Sequence, residues 1–144
     1  MKGASWTNEK GEIRPLDYDD FMVVAPYNDH RKLVRAELKK LDLDDVPVGT
    51  VDKFQGQEAA VVFFTMASSS AEDMPRGLDF LFSTNRLNVA ISRAKCLAYI
   101  VCTDQIFSTR AKTVEDMKLI SALLTYLDFC EPEELPSVVT PEAA

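Results

Sequence analysis

Two short polar stretches stand out, one a glycine-containing turn and the other with arginines whose type suits work on a phosphate. The first is Gln55-Gly56-Gln57-Glu58, a glycine among two amides and a carboxylate. The second is Asn85-Arg86-Leu87-Asn88-Val89-Ala90-Ile91-Ser92-Arg93-Ala94, with two arginines on one flank of a helical pattern. A guanidinium fork matches phosphate oxygens in a fixed planar geometry that an ammonium lacks. Periodicity alone also fits a plain surface helix. Leu87, Ala90, Ile91 and Ala94 make an apolar stripe, Asn85, Asn88 and Ser92 a polar one, and the arginines would then be solvated.

Such groups need a sheet edge to hold them, and the surrounding pattern supplies one. Phe21-Met22-Val23-Val24-Ala25 is a continuous apolar run closed by Pro26, as in a parallel strand buried on both faces. A helix is predicted over residues 30–41, with Leu33, Val34, Leu38 and Leu41 on one face and Arg31, Arg35 and Lys39 along another. Strands follow at 48–52 and 60–66, then a long loop at 67–77 of a length often tied to function. A helical piece at 78–82 leads to the helix 84–95, a strand at 97–102 and a last amphipathic helix at 114–129. The chain thus divides into a polar lead-in (1–20, with a turn at 8–12), an α/β domain (21–130) and an acidic, proline-containing tail (131–144). Alternating strands and helices predict a parallel sheet flanked by helices, its polar residues gathered at one edge.

At 144 residues this is one domain with room for a core. The net charge of −7 does not mark a nucleic-acid binder, yet five acidic and no basic residues lie from Asp128 onward. Contact with a phosphate backbone therefore falls to local basic groups rather than to the overall field. Three cysteines form no disulfide framework, and one histidine without metal-ligand spacing argues against a metal site. No apolar run reaches the roughly 20 residues of a membrane span. The start, Met1-Lys2-Gly3-Ala4-Ser5-Trp6, lacks the apolar stretch of a signal peptide. Both absences point to the cytoplasm, and the abrupt start suggests a piece of a longer protein.

Three motifs in order resemble the superfamily 1 helicases. Thr50-Val51-Asp52-Lys53-Phe54-Gln55-Gly56-Gln57-Glu58 is similar to their motif V, and the Asn85 to Ala94 string to motif VI. Val24-Ala25-Pro26-Tyr27-Asn28-Asp29-His30-Arg31 resembles motif IV of the branch that includes the nonsense-mediated-decay helicases. Within that family the resemblance is nearest to bacterial proteins joining a RecB-like nuclease to such a helicase. It implies the second (C-terminal) RecA-like domain of a two-domain motor, of the P-loop NTPase type but without the P-loop. Indeed no Gly-Lys dipeptide occurs, so no G-x-x-x-x-G-K-[ST] loop exists here. The isolated chain is expected to be inactive.

The resemblance also implies roles. Arg93 would be the finger that reaches the γ-phosphate of ATP, and Arg31 a second contact to it. Gly56, Glu58, Gln57 and Gln55 would be ATP-binding, with Glu58 accepting from the ribose. Thr50 and Tyr27 would touch single-stranded nucleic acid, expected to be DNA. Mg2+ ligands would lie in the partner, the N-terminal RecA-like domain of the same parent chain, and none here. Many relatives carry glutamine where His30 stands, and His30 receives no role. Two other readings compete: a motor-like domain turned scaffold, and a translocation module serving a RecB-family nuclease. Glu37-Leu38-Lys39 has the E-x-K spacing of such nucleases, but falls in a helix. A nicotinamide-binding domain would need a G-x-G-x-x-G that is absent.

Overall fold

A computed structural model of the chain describes residues 3–66, 83–103 and 110–133. It opens on a β-hairpin of β1 (Ser5–Thr7) and β2 (Ile13–Pro15), with Trp6 opposite Arg14. The expected turn at 8–12 is built on Asn8, whose Oδ1 accepts from the backbone N–H of Lys10 and Glu12, each at 3.0 Å. This is the local side-chain capture of backbone donors that makes asparagine a turn residue.

The domain proper is β3 (Phe21–Val24), α1 (Asn28–Lys40), β4 (Val48–Gly49), β5 (Ala59–Thr65), α2 (Thr84–Ile91), β6 (Ala94–Val101) and α3 (Val114–Leu127). The four later strands form one parallel sheet in the order β4-β3-β5-β6. This is the α/β architecture that the alternation implied, consistent with the RecA-like fold that the resemblance implied. Val24 and Val62 are 1% and 0% exposed, as their place in central strands covered on both sides demands. On one face Met22, Val24, Val62 and Phe64 meet Phe54, Leu87, Ala90 and Leu123 from the crossover, α2 and α3. On the other, Val23 and Val48 pack with Val46 under Val34 and Leu38 of α1. Between β5 and β6, Phe63 stacks on its register partner Tyr99, ring centroids 5.0 Å apart.

Two boundaries differ from the expectation, and both matter for the site. The strand expected over 48–52 is only Val48–Gly49, and a 3-10 turn at Asp52–Phe54 replaces its second half. Burial of Phe54, 3% exposed, draws the chain off the sheet. Its ring lies where a Cβ on Gly49 would sit, 2.7 Å from Cε2. The helix expected over 84–95 stops at Ile91, and Ala94 already belongs to β6. There the backbone is claimed by the sheet, since Ala59 N–H donates to Arg93 O at 3.0 Å and Ala59 pairs with Ala94. The loop at 67–77 and the helical piece at 78–82 lie outside the described residues.

Candidate nucleotide and nucleic-acid interface

Because every strand of the main sheet runs the same way, each functional residue can be assigned to one of its two ends. β3 and β4 end together, tied by the bond from Ala25 N–H to Gly49 O at 2.8 Å. Thr50 and Tyr27 therefore leave the sheet side by side at its C-terminal end. Thr50 O accepts from Lys53 N–H at 3.1 Å and Phe54 N–H at 3.3 Å, so this residue anchors the 3-10 turn. Tyr27 is half-buried against the core cluster beside Val51 and precedes α1 without a side-chain cap. Arg31, in the first turns of α1, belongs to the same end, its N–H bonded to Tyr27 O at 2.9 Å.

Gln55, Gly56, Gln57, Glu58 and Arg93 occupy the opposite end, where β5 and β6 begin. Gly56 has φ +79°, the left-handed region that favours glycine, and a Cβ there would meet nothing within 4 Å. The turn is thus forced on glycine by its dihedral, with open space on its outer side. Gln57 Nε2 folds back to Lys53 O at 3.4 Å, while the Gln55 side chain is exposed. Glu58 stands just before β5, not at a helix N-terminus, and its carboxylate lies 3.6 Å from Lys95 Nζ. With both side chains more than a third exposed, this pair adds little to stability.

The expectation of one polar edge is thereby corrected. Thr50, Tyr27 and Arg31 collect at one end of the sheet, and Gln55 to Glu58 with Arg93 at the other. The seven residues of β5 set the separation, about 20 Å at 3.3 Å per residue. Arg93 itself is no longer on a helix face. It sits in the turn between α2 and β6, with its backbone carbonyl bonded to β5.

Both Arg31 and Arg93 are partly buried, and the Nε of each is sealed from solvent with no hydrogen-bond partner among the described residues. A buried donor left unmatched costs about 1–3 kcal/mol, so it is usually satisfied by something.

Sequence reasoning gave His30 no part, yet it is bonded across the fold. Its Nε2 lies 2.8 Å from Thr65 Oγ1, and Thr65 Oγ1 donates to Val24 O at 3.2 Å. Burial holds the His30 pKa below the ordinary value of 6.5. A lone histidine beside the start of a motif-bearing helix was the available signal. The E-x-K spacing at Glu37 is ordinary helix surface, with Glu37 Oε1 2.6 Å from Lys40 Nζ. Among the described residues no group of three or more His, Cys, Asp or Glu could hold a metal ion. None of their helices is long and apolar enough to cross a membrane.

Comparison with known proteins adds the lineage. An AAA domain family matches residues 6–105. Human RNA helicase Mov10l1 is 32% identical over 117 residues, covering 69% of this chain and 10% of that protein. The DNA polymerase alpha-associated DNA helicase A of Schizosaccharomyces pombe is 41% identical over 80 residues, 56% of this chain and 12% of its own length. The Xenopus laevis DNA replication ATP-dependent helicase/nuclease DNA2 is 37% identical over 86 residues, 60% of this chain and 8% of its own. The chain thus spans about a tenth of the length of the curated relatives it matches. With the family match covering well over half its residues, and with helicases of both nucleic acids among its relatives, the chain belongs to the AAA domain family as a superfamily 1 helicase domain.

Proposed function

We propose that this chain is the second RecA-like motor domain of an ATP-dependent superfamily 1 helicase or translocase acting on single-stranded DNA. The observation that carries the reading is the match of residues 6–105 to the AAA domain family on a parallel sheet that has the partly buried Arg31 and Arg93 at its two ends. ATP, bound between this domain and an N-terminal RecA-like partner in the parent chain, supplies the phosphoanhydride whose hydrolysis drives the motor. Arg93 serves as the finger, offering its planar donors to the charge that develops on the transferring phosphoryl group. Its place in the tight α2–β6 turn, with the backbone fixed to β5, limits how far the finger can wander. Arg31 supplies a second set of donors to the same phosphate from the start of α1, its long side chain and that of Arg93 reaching in from opposite ends of the sheet. Gly56 keeps its outer side open for a close approach, Glu58 accepts from the ribose, and Gln55 and Gln57 line that turn. Mg2+ is held by acidic groups of the partner domain.

At the C-terminal end of the sheet, Thr50 and Tyr27 touch the nucleic-acid strand. Such backbone contacts position without reading sequence. Closure of the two domains on ATP and reopening after hydrolysis would move these contacts along the strand. Relatives named as RNA helicases and as DNA helicases both occur, and the assignment to DNA follows the latter. The likeness to a helicase/nuclease supports a parent that also carries a RecB-type nuclease, located outside this chain. We place the parent in the cytoplasm.

The test is ATP hydrolysis by the full-length parent, with and without single-stranded DNA, in the wild type and in Arg93→Ala. The variant is expected to bind ATP and to lose hydrolysis by about 10³-fold or more. Normal turnover in Arg93→Ala would remove the finger assignment. A folded, DNA-binding wild type with no turnover would favour the scaffold reading.

A further inference from the structure

His30 lies one residue before Arg31 and makes a hydrogen bond that joins three elements. Thr65, the last residue of β5, has a single hydroxyl proton, which goes to Val24 O at the end of β3. With that proton on Val24 O, both bonds form at once only when His30 donates, so the bond at 2.8 Å is assigned as a donation from the histidine Nε2–H. The neutral ring is therefore the Nε2–H tautomer, the form that burial favours over the imidazolium. Tyr27 offers no side-chain cap, and the Asp29–Lys32 pair is exposed at the surface. A guanidinium that is to meet a phosphate gains from being aimed in advance, because geometry fixed before binding is not lost on binding.

We propose that His30 is a positioning residue: by donating to Thr65 it pins the first turn of α1 to the end of β5, and so aims Arg31 at the γ-phosphate. The inference rests on the proposed role of Arg31. It goes beyond that role by assigning what holds the arginine in place, and by giving the histidine a task that a glutamine amide can also perform.

The experiment measures, in the full-length parent, the affinities for ADP and for a non-hydrolysable ATP analogue. Their ratio reads the γ-phosphate contact, whereas general loosening of the fold weakens both. Arg31→Ala is expected to lower the ratio most. His30→Ala and Thr65→Val are each expected to lower it about 3- to 10-fold, the range of one net hydrogen bond, and to leave ADP affinity unchanged. Combining the two should lower it no further than either alone, because they remove the same bond. His30→Gln, whose amide N–H can take over the donation, should keep the wild-type ratio. If Arg31→Ala lowers the ratio but His30→Ala and Thr65→Val do not, or if His30→Gln fails as His30→Ala does, the tether is overturned and the motor reading stands. If either tether variant folds poorly, the other alone decides the matter. An unchanged ratio in Arg31→Ala overturns the role of the arginine, and the inference with it.

Discussion

Gly49 and Gly56 stand in one stretch and are glycines for different physical reasons. At Gly49 the dihedral is ordinary and the obstacle is space, since a Cβ would lie 2.7 Å from one Phe54 ring carbon and 2.9 Å from another. At Gly56 space is open and the obstacle is φ +79°. Gly49→Ala is therefore an overpacking change, expected to destabilise by about 1–3 kcal/mol. A urea midpoint lowered at unchanged slope would show it, and an unshifted midpoint would mean that the Phe54 ring can give way. The string Phe54-Gln55-Gly56-Gln57 announces a turn, so Gly56 was legible in the sequence. Gly49 was not, because its reason is a ring five residues on that reaches it only after the chain has folded. The same holds for His30, whose partners Thr65 and Val24 come from two different strands.

Among the elements, legibility followed how much of the signal was local. β3 and β5 are continuous apolar runs and appeared close to their expected bounds. The end of α2 had no glycine or proline to mark it, and apolar spacing carried the expected helix on through Ala94. The competing force was pairing of Ala94 with Ala59, invisible from periodicity and decisive for where Arg93 points its backbone. α3 shows the opposite case, a start written in four residues. Thr113 Oγ1 accepts from Asp116 N–H at 3.0 Å, and Asp116 Oδ2 accepts from Thr113 N–H at 2.9 Å, a reciprocal capping box. Thr113→Ala should cost about 1 kcal/mol. Hydrogen exchange should accelerate first at the N-terminal turn of α3, while Leu123, buried at 3% exposure, keeps the rest of the helix docked.

For the whole molecule, the division of polar groups between two ends of one sheet fits a domain that works only against neighbours. The residues that would hold a nucleotide lack the phosphate loop, and the described residues lack a metal cluster. The isolated chain should release no phosphate from ATP above buffer, with Mg2+ and single-stranded DNA present. Turnover by the fragment would overturn the assignment of the hydrolytic machinery to a partner domain. The parallel sheet has a second consequence, for the order of folding. Its rungs join Val23 to Val48, Phe21 to Val61 and Ala59 to Ala94, and no hairpin links any two of its strands. Each pairing must close a long loop before any contact repays the lost chain entropy. The hairpin turned by Asn8 is the one strand pairing among the described residues that can form early. The sheet that carries the arginines is therefore assembled late, and slowly for a chain of this size.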